Sequence, residues 1–126
     1  MAQPSDNTAK AAKQRFRDAV VSHLNQVAPV MARAMFGGYG LYIEGIMFAI
    51  IAYETVYFKV DDVNRGDFEA LDMSPFTYEG KGKPIKMSYY EIPPAIWQDL
   101  PALAHWVDQA HAAARRAKQG KSRSRR

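Results

Sequence analysis

The chain contains no cysteine. That excludes disulfide cross-links, thiol catalysis and cysteine-ligated zinc or iron–sulfur clusters. Long hydrophobic runs are also missing. The best, Ile46 to Ala52, is seven residues, far short of the ~20 that a membrane-spanning helix needs. The opening MAQPSDNTAK lacks a basic start followed by an apolar stretch, so no secretory signal is expected. A domain that folds without staples and shows no export signal is expected in the cytoplasm, with no membrane contact. Histidine is scarce as well: His23 falls on one helical stretch, and His105 and His111 on another. Six residues apart on a helix, the last two diverge by about 240° and cannot share a metal from one face. All three are expected at the surface or at its boundary, and no metal or cofactor is expected.

Acidic residues are absent from the end of the chain. Residues 115–126, RRAKQGKSRSRR, hold seven of the seventeen lysines and arginines. The 114 residues before them carry ten bases against thirteen acids, a net of −3. The overall charge of +4 therefore belongs to a tail, read as a basic, disordered segment over 119–126. Weak, salt-dependent contact with nucleic acid is the most that such a tail implies.

What is present is one domain's worth of chain, 126 residues with 48% hydrophobic content, enough for a real core. Residues 1–9 read as a flexible lead and 10–118 as a single domain. Phe16, Val20, Leu24 and Val27 recur at helical spacing, so a helix is expected from about Lys10 to Ala28, ended by Pro29. The period then changes. Stretches 33–37, 40–44, 46–52 and 55–60 are rich in β-branched and aromatic residues and are separated by Gly37-Gly38, Gly45 and Tyr53-Glu54. In TVYFKV, Val56, Phe58 and Val60 face one side while Thr55, Tyr57 and Lys59 face the other. IMFAIIA does not alternate, so a central strand covered on both faces is expected there. Short links between strands imply antiparallel pairing. A short helix is expected within Asp61–Met73, then strands at FTYEG and KPIKMSYYEI, with Pro93-Pro94 closing the sheet. Asp99 is a suitable N-cap and Pro101 fits the first turn of a last helix reaching about Lys118. The result is an α+β domain: an N-terminal helix, an antiparallel β-meander of five to six strands and a C-terminal helix.

The glycine cluster RAMFGGYGLYIEG, residues 33–45, invites a phosphate-loop reading and fails it. Gly38-Tyr39-Gly40 is followed by Ile43 where a dinucleotide fingerprint has its third glycine. Gly40 and Gly45 have Walker spacing, but Ile46 and Met47 replace the lysine and the hydroxyl. A strand follows, so no helix N-terminus offers its N–H groups to an anion. The glycines instead turn corners or allow close backbone approach. Ser88 has no histidine near it in sequence. Asp61-Asp62 and Asp67–Glu69 read as an acidic, solvent-facing loop, and no catalytic residue is assigned. Tyr39, Tyr42, Tyr57, Tyr89 and Tyr90, with Phe36, spread over at least three strands. Near Lys59 and Lys86 such aromatics can stack bases; cross-strand packing is the plainer reading. Protein binding on the polar sheet face or at an edge strand is a third.

These residues resemble a known family. Arg33-x-Met35-Phe36-Gly37-Gly38-Tyr39-Gly40-Leu41-Tyr42 and Gly45 with Met47-Phe48-Ala49 are similar to the N-terminal domain of TfoX/Sxy proteins. So are Val56 to Asp61, Phe76-x-Tyr78, Met87-Ser88-Tyr89-Tyr90-x-x-Pro93 and Trp106, and the match spans about residues 12–117. The resemblance implies a helix–β-meander–helix fold similar in outline to type III secretion chaperones, no enzymatic activity and no cofactor. It also implies a regulatory role in competence for DNA uptake, as a transcriptional co-activator with the cyclic-AMP receptor protein. Regulators of this kind carry a second, C-terminal helical domain; here a basic stretch follows instead, and a stand-alone domain is the expectation. Arg33, Met35, Phe36, Gly37, Gly38, Tyr39, Gly40, Tyr42, Lys59, Lys86, Tyr89 and Tyr90 are the family-motif and candidate interaction residues. A protein partner is expected first. A nucleic-acid-binding module is the alternative, and open sheet edges make a homodimer plausible.

Overall fold

The computed structural model describes residues 5–35, 37–80 and 83–124, with side chains over 9–35, 37–77 and 87–120. Helix α1 (Ser5–Leu24) leads into strands β1 (Met31–Met35), β2 (Gly38–Ile43), β3 (Ile46–Ala52) and β4 (Thr55–Lys59). A short helix α2 (Arg65–Glu69) precedes the hairpin β5 (Pro75–Gly80) and β6 (Lys83–Glu91), and helices α3 (Pro94–Gln98) and α4 (Leu100–Ser124) follow. The α+β class is as the periodicities imply.

The six strands form one antiparallel sheet in the order β1-β2-β3-β4-β6-β5. The meander thus holds through β4. Strand β6 then takes the place beside β4 and pushes β5 to the edge. The long connection through α2 allows this, because β5 runs parallel to β4 and has to be reached by a crossover.

Both long helices pack on one face of the sheet. Val20 and Leu24 of α1 and Leu103, Val107 and Ala110 of α4 join Leu41, Phe48, Phe58 and Val60 in a single buried cluster. Phe48 and Phe58 meet edge to face at 5.6 Å, and Trp106 stands on Phe68 at 4.6 Å. Burial of each such side chain stabilises the fold by about 1.5–3 kcal/mol before conformational entropy is subtracted.

Several sequence expectations need correcting. Strand β3 is central, but only its inner face is covered by helix. Its failure to alternate comes from a bulge: Leu41 pairs with Ala49 while Tyr42 pairs with Met47. Phe48 is therefore the extra residue, and it is buried next to buried Ala49. Met47 and Ile50 lie on the other face, half-buried.

Helix α1 starts at Ser5, within the stretch read as a lead, since adding residues to a formed helix costs little. It ends at Leu24, before Pro29. There the Asn25 side chain donates to the Val21 carbonyl at 2.8 Å and accepts from the Val30 amide at 3.3 Å, which turns the chain into β1. Asp99 does cap α4, its Oδ1 accepting from the Ala102 amide at 3.2 Å. That helix continues past Lys118 to Ser124, through residues assigned to the tail.

His111 is buried rather than at the surface, because Nε2 donates to the Ile43 carbonyl at 3.1 Å. Nδ1 then accepts from Arg115 Nη1, also at 3.1 Å. Asp61 is not simply solvent-facing either: Arg116 holds it across 55 positions of sequence.

Candidate functional site

The second face of the sheet carries no helix among the described residues, and the family-motif residues build it. Antiparallel register aligns Met35 with Gly38, Arg33 with Gly40 and Met31 with Tyr42. Period-two alternation then puts Gly38, Gly40 and Tyr42 of β2 on this outer face and Tyr39 and Leu41 on the other. From β4 come Tyr57 and Lys59, and Tyr89 of β6 pairs with Lys59.

Two of the three outward positions on β2 are glycine, and neighbouring atoms close in over the bare backbone. A groove of about 780 Å³ lies there. Met35, Met47, Ile50, Phe76, Met87 and Tyr89 line its outer-face part, and Lys13 and Phe16 of α1 with Tyr39 and Ile51 of the core side form its end. The glycines serve different purposes. At Gly38 a Cβ would run into the Ile51 carbonyl oxygen, so the strand can approach β3 only without a side chain. At Gly40 a Cβ would stand 2.6 Å from Met47 Sδ and 2.9 Å from Met35 Sδ. The two thioethers lie across the bare backbone and form the floor.

Two tight turns join the central strands, Glu44-Gly45 at one end of β3 and Tyr53-Glu54 at the other, beside the groove. Glu44-Gly45, at φ of 52° and 78°, has both central residues in the left-handed region, as a type I′ hairpin requires. Tyr53-Glu54 makes the same turn at φ of 52° and 57° without any glycine, which costs energy. Tyr53 is 82% exposed beside the groove, its ring 6.3 Å from Phe76. Phe76 also packs against Tyr57 at 5.0 Å.

Cations stand over the tyrosines. The Lys59 ammonium lies 5.2 Å from the Tyr89 ring centroid, Arg33 lies 5.7 Å from Tyr42, and Arg17 lies 5.3 Å from Tyr39. Such contacts contribute about 0.5–1 kcal/mol each where exposed. Burial pushes the Tyr89 phenol above its usual pKa, with nearby Tyr42 adding to the effect. Tyr57 is raised by burial and then by the charge of Glu91.

The motif residues therefore divide. Arg33, Met35, Gly38, Gly40, Tyr42, Lys59 and Tyr89 converge on the outer face, and Gly37 turns the chain into it at φ 81°. Tyr90 lies on the core side, against Phe68 at 5.8 Å, with its hydroxyl donating to Glu69 Oε2 at 3.0 Å. Phe36 and the Lys86 side chain fall outside the described residues. The sequence reading missed Met47, Ile50 and Met87 as site residues. The signal was available in GGYG, where glycines at every second position empty one face of a strand.

Ser88 and the histidines do not come together. His23 Nε2 donates to the Trp97 carbonyl at 2.7 Å and its ring stacks on Trp97 at 4.4 Å. His111 is held by Ile43 and Arg115, and His105 is exposed on α4. No group of three or more metal-ligating side chains occurs among the described residues, nor is any described helix long and apolar enough to cross a membrane.

The model of the TfoX N-terminal domain matches residues 22–114, from the last turn of α1 to the buried turn of α4 that holds Ala113 and Ala114. No curated protein matches the chain. With most of its length inside that match, the chain belongs to the TfoX N-terminal domain family.

Proposed function

We propose that the chain is a non-enzymatic regulatory module of the cytoplasm that binds a protein partner on the outer face of its sheet. One observation carries the reading: an apolar groove, lined by methionines that lie across the bare backbone of Gly40, opens on the outer face of the sheet and is reached by α1 only at its end. Methionine side chains adapt to differently shaped partners, and the tyrosine–cation pairs around them supply the aromatic and basic anchors common at interfaces. The family resemblance implies a transcription factor of the cyclic-AMP receptor protein type as the partner, with the module as co-activator.

Isothermal titration of the purified chain into cyclic-AMP receptor protein, with cyclic AMP and promoter DNA, tests this. Saturable binding is expected, weakened at least about tenfold by Ile50→Glu in the groove and unchanged by His105→Glu on the exposed side of α4. Absence of binding, or equal loss in both variants, contradicts the reading.

The alternative, nucleic-acid binding, draws on the Arg33–Tyr42 pair and the basic end of α4. It predicts salt-sensitive binding of single- or double-stranded DNA that survives truncation after Ala117. Loss of all DNA binding on that truncation confines the effect to the basic end.

A further inference from the structure

We propose that the groove is also a small-molecule site, taking an uncharged aromatic compound that carries one hydrogen-bond acceptor. Shape supports this first. The groove does not stop at the outer face of the sheet. Its end reaches Tyr39 and Ile51 on the core side, with Phe16 of α1 beside them. A docked helix, ~10–12 Å across with its side chains, lies over the opening and leaves that depth unfilled. The volume of about 780 Å³ falls within the range of small-ligand sites, ~300–1,000 Å³. The lining sets the chemistry of the body. Thioethers of Met35, Met47 and Met87 share it with the rings of Phe16, Tyr39 and Phe76. Thioether sulfur contacts ring edges favourably and rings pair with rings, so a flat aromatic body gains from both.

Tyr89 supplies the fixed polar point. The residue is only 8% exposed, yet its hydroxyl has no hydrogen-bond partner among the described residues and is not sealed off. A largely buried phenol left without a partner is uncommon, and an acceptor atom on a bound ligand completes it. Burial raises the phenol pKa, so the group is protonated at neutral pH and donates. The charges of the lining cancel. Lys13 and Glu54 are the charged residues among the described lining, one of each sign, and both are exposed. Both stand in water, where pairing repays little of what an ionic ligand loses on leaving solvent. An uncharged ligand avoids that cost.

Ligand binding here is tested without a protein partner, so its failure leaves the interaction reading standing. A bound compound lies beneath a docked partner and makes docking sensitive to its concentration. The test is an NMR titration of the full chain, carrying 13C-methyl methionine, with 2-acetonaphthone. Its ketone is the acceptor. In parallel, 2-ethylnaphthalene lacks the acceptor, 2-naphthoate and 2-naphthylmethylammonium carry charges, and 2-nonanone sets the ketone on an aliphatic chain. The Met35, Met47 and Met87 methyl signals are expected to shift and saturate with 2-acetonaphthone. Met73, packed against the core, stays in place.

The aromatic ketone is expected to bind at least about tenfold more tightly than either ion. It should also bind at least about threefold more tightly than 2-nonanone or 2-ethylnaphthalene. Tyr89→Phe is expected to remove the preference over 2-ethylnaphthalene. The hydrocarbon itself then binds as before, and an unmoved Met73 signal confirms the fold. Four results overturn the proposal. They are an ion binding as tightly as the ketone, 2-nonanone binding as tightly, unsaturable shifts of all methyls together, and a Tyr89→Phe chain that keeps the preference for the ketone over the hydrocarbon.

Discussion

Arg116 grips Asp61 with two guanidinium nitrogens, Nε to Oδ2 at 2.6 Å and Nη2 to Oδ1 at 3.0 Å. The pair ties the end of β4 to the last turns of α4, and so fixes the helix against the inner side of the sheet whose outer side carries the groove. The Asp61 carboxylate also accepts from the Val63 amide at 3.0 Å.

The Arg116 hydrogen bonds, and secondarily the backbone amides, hold the Asp61 carboxyl below its ordinary range. A depressed native pKa stabilises the fold above the unfolded value, ~3.9, and the contribution is lost as pH falls through the native one. Urea denaturation followed from pH 6 to pH 2 is expected to show a loss of stability below about pH 4 that is smaller in Asp61→Asn. Arg116 is 39% exposed, so solvent screening keeps the coupling in an Asp61/Arg116 double-mutant cycle near about 1 kcal/mol, lower in high salt.

Gly38 and Gly40 are expected to respond differently to the same substitution. Gly38→Ala sets a methyl against the Ile51 carbonyl, a backbone atom that cannot swing away, and should cost about 2–3 kcal/mol. Gly40→Ala meets side-chain atoms, the Met47 and Met35 sulfurs and a Tyr42 ring carbon at 3.1 Å, which can move. It should cost about 1 kcal/mol and shrink the groove. Equal destabilisation in chemical unfolding would contradict this division.

The Tyr53-Glu54 turn leaves stability unused. Replacing it with Asn-Gly, which suits two positive φ angles, is expected to stabilise the chain by about 1 kcal/mol. The gain is read as a higher urea midpoint at unchanged slope.

His111→Leu removes the donor to the Ile43 carbonyl and the acceptor for Arg115. A loss of about 1–3 kcal/mol is expected. His111→Gln, which can keep the donor, should recover part of it.

The parts of this molecule legible in the sequence are those where a local period reports burial. Val56, Phe58 and Val60 alternate and are buried; Leu103, Val107 and Ala110 follow a helical stripe and are buried too. The bulge at Phe48 was illegible, because one inserted residue turns alternation into an apolar run that looks like double-sided burial. The Asp61–Arg116 and His111–Ile43 contacts were hidden for another reason. They join residues 55 and 68 positions apart, and no local pattern marks them. The groove lay between these cases. Its glycines were visible, but their meaning depended on which face of β2 the helices left open.

The central claim is that the chain binds through the outer sheet face. In-cell photo-crosslinking from p-benzoylphenylalanine tests it most directly, with the probe placed at Met87 in the groove and, separately, at His105 on α4. The account predicts a discrete protein adduct from position 87, abolished by Ile50→Glu, and none from position 105. Adducts from 105 alone, or an adduct from 87 that Ile50→Glu leaves intact, would contradict it.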